Sequence, residues 1–285
     1  MHDNEFVATE TLVRTLLYEQ LQKWAGLSLT PIPATGTDNI IFRLGRAMTV
    51  RMPRIESATR QIERDHRWLP VLAPQLPCAV ATPLAVGVPG CGYPFPWAVH
   101  AWLDGKNPAP GDHPLLAQDL ASFVNALSNI TDGPPSSRSG PLSARGDDVM
   151  TALDTLTQEI DVRAAEELWT RALAAPEHRG RPVWQHADLT VGNILIDRQR
   201  LSAVIDFGPS GLGDPAVDLV PAWRVFRGDS RLRFQESVQA DEHAWLRAEG
   251  WALSIAVLEL AYYRHRDRAL ADAAREALRE LGMGL

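Results

Sequence analysis

The stretch His186-Ala187-Asp188-Leu189-Thr190-Val191-Gly192-Asn193-Ile194-Leu195-Ile196-Asp197, continued after Arg198-Gln199-Arg200 by Leu201-Ser202-Ala203-Val204-Ile205-Asp206-Phe207-Gly208, decides the reading of this chain. Two apolar runs, 193–197 and 201–206, flank a short polar link, a pattern that predicts an antiparallel hairpin. Asn193 opens the first strand of that hairpin and Asp206 closes the second, which sets both polar side chains at the same open end. Asp188 lies five residues before Asn193, in the loop entering that end. A free carboxylate and two oxygen ligands are therefore expected to converge.

Phosphoryl transfer needs such a convergence, because metal ions must neutralise the phosphates while a carboxylate orients and deprotonates the attacking hydroxyl. Mg2+ takes a few hard oxygen ligands and keeps its remaining positions for water and phosphate. Asn193 and Asp206 are the expected ligands, and Asp188 is the expected catalytic base. His186 to Asn193 matches the H-x-D-x4-N catalytic loop of kinases, and Asp206-Phe207-Gly208 matches their D-F-G. His186 is read as an anchor that shapes the loop. Only seven residues separate Asp206 from Asp214, which leaves no room for the long activation segment of a protein kinase, and Ala187 replaces the arginine of H-R-D. A small-molecule acceptor is expected.

Working outward, apolar residues from Phe6 to Trp24 recur at helical spacing, with Gly26 as the stop. Ile40–Leu44 and Ala47–Arg51 around Gly45-Arg46 read as a hairpin, Ser57–Leu69 as a helix and Tyr93–Leu103 as another strand. Beyond a Pro-, Gly- and Ser-rich loop, Gly133–Gly146, the pattern is mostly helical apart from the hairpin quoted above, and Trp251–Tyr263 has the composition of a helix buried on most sides. The kinase pattern asks for a strand cation on the phosphates and a helical glutamate to hold it, and Arg51 and Glu63 fill those places. Arg54 is a rival for the phosphates. His100 to Leu103 is the expected link between two lobes, where backbone groups of Ala101 and Leu103 could read the base of a nucleotide; Trp102 could equally be core.

Composition sets the outer bounds. With 285 residues, 45% of them apolar, the chain can bury a sizeable core without staples, and Cys78 and Cys91 show neither metal nor disulfide spacing. The acidic start, Met1 to Glu5, lacks the features of an export signal, and prolines interrupt the most apolar stretch, Pro70–Pro89. A cytoplasmic protein with no membrane span is expected. The formal charge of −7 is uneven: nine basic residues face eight acidic ones up to Leu103, and nineteen face twenty-seven beyond it. Such an acidic second part disfavours nucleic acid and suits cationic partners.

The chain also resembles the aminoglycoside phosphotransferase family. The resemblance runs through Gly36-Thr37-Asp38-Asn39, Arg51-Met52-Pro53-Arg54, Glu63, Trp68-Leu69-Pro70 and Tyr93 to Gly105, and reaches Gly213-Asp214-Pro215-Ala216-Val217-Asp218-Leu219, which looks like that family's G-D-P-x-x-D-L. It implies a bilobal protein-kinase-like α+β fold, with a small N-terminal lobe, 1–103, holding an antiparallel sheet and a larger, mainly helical C-terminal lobe, 104–285. It implies that Gly36, Thr37, Asp38 and Asn39 position the nucleotide, although the stretch lacks the G-x-G-x-x-G pattern, and that Asp218 braces the catalytic loop. ATP or GTP with Mg2+ would be the co-substrate, and an aminoglycoside or related antibiotic the acceptor. A sugar, amino acid or choline-like metabolite is the alternative acceptor, and a nucleotide-binding pseudokinase the non-enzymatic one.

Overall fold

The computed structural model describes residues 5–32 and 39–284, and the chain divides into two compact units. The first comprises Met1–Asp104 together with Ala203–Gly208. Helix α1 (Glu10–Gln20) is capped by Thr9, whose Oγ1 accepts from the Leu12 N–H. The helix stops short of Trp24 because Leu21 leaves helical geometry, and a single 3-10 turn, Gln22–Trp24, follows. Strands β1 (Leu29–Pro31), β2 (Asn39–Leu44) and β3 (Met48–Pro53) come next. Gly45, at φ +57°, begins the β2–β3 turn, and Ala47 lies in that turn because Leu44 pairs with Met48. Helix α2 (Thr59–Leu72) continues through Pro70 rather than ending before it, since a proline in the last turn forfeits only one helical hydrogen bond.

Two further strands, β5 (Pro83–Gly87) and β6 (Trp97–Ala101), complete the sheet begun by β1, β2 and β3, while β4 (Ala79–Val80) lies outside it. The order β1-β2-β3-β6-β5 is antiparallel throughout. β6 begins four residues later than the expected strand, because Pro94 and Pro96 have no N–H to give a ladder. Tyr93 instead turns into the core, where its hydroxyl donates to the Pro53 carbonyl at 2.7 Å. Val13, Leu16 and Leu17 of α1 share that core with Phe42, Leu44, Val50, Met52, Trp97 and Val99. Gly87 pairs with Trp97, and a Cβ built on Gly87 would lie 2.0 Å from the buried indole. Gly87→Ala should therefore lower unfolding free energy by about 1–3 kcal/mol, the cost of overpacking, as read from a denaturant midpoint.

The second unit comprises Gly105–Ser202 and Pro209–Leu285. Its helices are α3 (Pro114–Ser128), α4 (Gly146–Thr155), α5 (Val162–Ala174), α6 (Pro221–Arg224), α7 (Gly228–Ser237), α8 (Glu242–Tyr263) and α9 (Arg268–Glu280). α8 packs against α4, α5 and α9, and most of its length is buried, which explains its nearly unbroken apolar second half. It begins nine residues before Trp251, capped by Asp241, whose Oδ1 accepts from the Ala244 N–H at 2.7 Å. Two short strands beyond the expected hairpin, β7 (Val183–Gln185) and β10 (Gly211–Gly213), pair antiparallel.

The hairpin itself consists of β8 (Ile194–Asp197) and β9 (Arg200–Val204). Its link is two residues long rather than three: Arg198 and Gln199 both take positive φ, +47° and +67°, and such a turn matches the twist of the flanking strands. Within the first unit, Ala203 and Val204 at the end of β9 pair in parallel with Ala79 and Val80 of β4. Among the described residues, no helix is long and apolar enough to cross a membrane.

Candidate active site

In the first unit, the two-residue period of β3 sends Val50 and Met52 into the core and Arg51 to the opposite face. There the Arg51 guanidinium donates to Gln61 Oε1 at 2.8 Å and lies 3.5 Å from a carboxylate oxygen of Asp65 and 3.5 Å from Oδ1 of Asp206. Gln61 closes the ring by donating to the same Asp206 oxygen at 3.0 Å. With its amide oxygen turned toward Arg51, Asn39 accepts at 3.1 and 3.3 Å. Asp206 is half-exposed and takes φ +63°; it lies two residues past Val204, where β9 ends, rather than closing the strand itself. Burial pushes the Asp65 carboxyl up to about 7, with Arg51 opposing and Asp206 adding to the shift.

The helical carboxylate beside Arg51 is thus Asp65, where Glu63 had been expected. Ile62, Asp65, Leu69 and Leu72 form the buried face of α2, and a residue two positions from Asp65 is turned about 200° away, so Glu63 is exposed. Arg54 pairs instead with Glu5 at 3.2 Å. Gly36, Thr37 and Asp38 lie outside the described residues. Ala101 ends β6, and its N–H reaches the Thr82 carbonyl at 3.4 Å; Leu103 is half-buried. Trp102 is not core: it is 37% exposed, its ring lies under the Arg43 guanidinium and its Nε1 donates to Asp104.

His100, two positions earlier, is buried, and its Nε2 has no hydrogen-bond partner. Burial, aided by the Arg51 charge, lowers its pKa from 6.5 to about 3. Between those pH values the unfolded chain binds the proton and the folded chain does not, so the folded state loses stability as pH falls. His100→Leu should remove that contribution. Unfolding titrations of variant and wild type should diverge between pH 6.5 and 3, by roughly 5 kcal/mol at most.

In the second unit, the loop after β7 carries His186, Ala187 and Asp188. His186 is fully buried. Asp218, also buried, accepts the His186 N–H at 2.6 Å and the Ala187 N–H at 2.7 Å. Its burial raises the carboxyl pKa to about 7, although both N–H groups and Arg138 favour the anion. Ala187 has φ +67°, a strained conformation for a residue with a Cβ, so those bonds hold the chain where it would not rest by itself. The turn presents Asp188, whose N–H reaches His186 Nδ1 at 3.3 Å. Asn193, in a 3-10 turn ahead of β8, donates through Nδ2 to the Asp188 carbonyl and to its Oδ2, both at 2.9 Å.

Three partners had no signal in the motif. Asn107 Nδ2 lies 2.9–3.0 Å from the carbonyls of Val191, Gly192 and Ile194 and so fixes the turn that carries Asn193. Arg138 lies 3.7 Å from Asp188 Oδ1. Both come from loops distant in sequence, where spacing says nothing. Asp65 was legible in principle, as a carboxylate on the apolar stripe of an amphipathic helix.

The second unit carries the H-x-D-x4-N residues on a strained loop, and the first carries an arginine-centred cluster that includes Asp206, residue types that suit a phosphotransferase class of protein. The model of the phosphotransferase enzyme family matches residues 28–252, and the chain belongs to that family. It is a small-molecule O-phosphotransferase. No curated protein matches it in sequence. Solved structures share its fold. The GDP and kanamycin complex of APH(2")-IIIa superposes with a TM-score of 0.68 at 18% identity, covering 95% of this chain and 98% of the other. The streptomycin–ATP ternary complex of APH(2")-IIa gives 0.62 at 16% identity, covering 96% and 97%. Macrolide 2'-phosphotransferase MphH from Brachybacterium faecium gives 0.60 at 21% identity, covering 95% and 98%.

Proposed function

We propose that this enzyme moves the γ-phosphoryl group of ATP or GTP to a hydroxyl of an aminoglycoside or related antibiotic, and so confers resistance. The observation that carries the reading is the Asp188 carboxylate, tied by Oδ2 to Asn193 on a loop held by the buried Asp218. Asp188 accepts the proton of the acceptor hydroxyl while the hydroxyl oxygen forms the new bond to phosphorus; the bond from the γ-phosphorus to the bridging oxygen breaks and the nucleoside diphosphate leaves. Nucleotide complexes of two structurally similar proteins support the co-substrate. Arg51 is the cation for its phosphates, and Gly36 to Asn39, Ala101 and Leu103 are assigned to the rest of the nucleotide.

Asn193 and Asp206 are assigned to Mg2+ by their places in the motif. Both suit a hard cation: Asp206 offers a half-exposed carboxylate, and with Nδ2 of Asn193 committed to Asp188, its amide oxygen is the atom left to bind. The bound ion would neutralise phosphate oxygens. Such a reaction fits a cytoplasmic protein. The deciding experiment is product formation with ATP and with GTP, in magnesium, against kanamycin, a macrolide, choline, homoserine and free sugars. Phosphorylated kanamycin or macrolide is expected; turnover confined to the metabolites would replace the antibiotic reading.

A further inference from the structure

Ala187 sits at φ +67° directly before Asp188, and the bonds on its two sides have different origins. Its N–H is taken by Asp218, from the G-D-P-x-x-D-L segment. Its carbonyl is taken by Arg138 Nη1, from the Pro-, Gly- and Ser-rich loop. The same Nη1 lies 3.7 Å from Asp188 Oδ1, while Asn193 holds Oδ2. One guanidinium therefore grips both the strained peptide and the carboxylate that the peptide presents.

That loop is built rather than draped. Leu212 donates its N–H to the Pro134 carbonyl at 2.8 Å, and Ser136 returns its own N–H to the Leu212 carbonyl at 2.9 Å. The buried Ser136 hydroxyl donates to the Pro209 carbonyl at 2.8 Å and accepts from the Arg138 N–H at 3.0 Å, and Gln185 donates to the Arg138 carbonyl at 3.3 Å. The backbone of Arg138 is thereby fixed against β7 and β10, and its side chain is only 23% exposed. A long flexible side chain held at its base in this way loses little further freedom on binding the catalytic loop. Where the kinase pattern has an arginine in the loop, this chain has Ala187, and the guanidinium arrives from Arg138 instead.

We propose that Arg138 is a positioning residue for phosphoryl transfer: it holds Ala187 in its left-handed turn and directs the Asp188 carboxylate toward the acceptor hydroxyl. The inference rests on the assignment of Asp188 as the base. Because it acts through Asp188, its removal should lower kcat and spare nucleotide affinity.

The test compares wild type, Arg138→Met, Arg138→Lys, Asp188→Ala and the double variant Arg138→Met/Asp188→Ala. The readouts are kcat and nucleotide KM with kanamycin, and nucleotide hydrolysis with water as acceptor if kanamycin is not turned over. Arg138→Met should lose about 100-fold in kcat at unchanged nucleotide KM, as expected when a reacting group is misplaced by about an ångström. Arg138→Lys should recover part of that loss, keeping the charge without the fork. In the Asp188→Ala background, Arg138→Met should change the residual rate little, because two residues acting as one unit are not additive. Wild-type kcat in Arg138→Met, or an equal further loss in the double variant, overturns the proposal. If Asp188→Ala itself retains the wild-type rate, the assignment of the base fails instead, and the two failures are told apart.

Discussion

Replacing Asp188 by asparagine should lower kcat by on the order of 10²–10⁴-fold while nucleotide affinity stays at the wild-type value, the span expected for loss of a positioned general base. Asparagine keeps the shape of the side chain and an oxygen that can accept from Asn193 Nδ2, so the loop should survive the change. It cannot take the proton of the acceptor. Single-turnover assays with excess enzyme separate this loss from any change in product release, and nucleotide binding measured by calorimetry checks the second half of the expectation. A rate within tenfold of wild type would remove Asp188 from the chemistry and leave it a structural residue.

Asp218→Ala should damage both stability and rate. Two buried N–H groups, of His186 and Ala187, lose their acceptor, and each orphaned donor costs about 1–3 kcal/mol. Part of that is offset, since the carboxylate's burial is itself unfavourable enough to raise its pKa to about 7. A net loss of about 3 kcal/mol is expected from denaturant unfolding. The rate should fall further than the folded fraction explains. Without the acceptor, Ala187 can relax from φ +67° to an ordinary conformation, and Asp188 moves with it. Asp218→Asn keeps one accepting oxygen and should fall between the two.

The two short strands β8 and β9 and the residues around them were legible because their pattern is local: two apolar runs, a short polar link that proved one residue shorter than its sequence pattern implies, and polar residues at fixed offsets. Asp188 and Asn193 are five residues apart, and they do touch. Elsewhere backbone chemistry shifted boundaries that side-chain pattern alone had drawn. Pro94 and Pro96 delayed β6, and Leu21 ended α1, though the apolar spacing ran on. In α2 the sequence offers two acidic residues, Glu63 and Asp65, and the kinase pattern points to the glutamate; helical phase, anchored by Ile62 and Leu69, selects Asp65 instead. Arg138 and Asn107 were out of reach for a different reason. Each acts on a loop about fifty or more residues away, through the packing of segments that have no regular period.

The first unit is not a continuous piece of chain: after Asp104 it lacks Ala203–Gly208, the segment that pairs with β4 and supplies Asp206 to the Arg51 cluster. During synthesis this imposes a delay. At ribosomal speeds of about 5–20 residues per second, the segment emerges roughly 5–20 s after Asp104. Until then the nascent N-terminal portion holds Arg51 and Asp65 without their third partner. A fragment cut at Asp104 would be arrested in that condition, and biosynthesis must carry the growing chain through it.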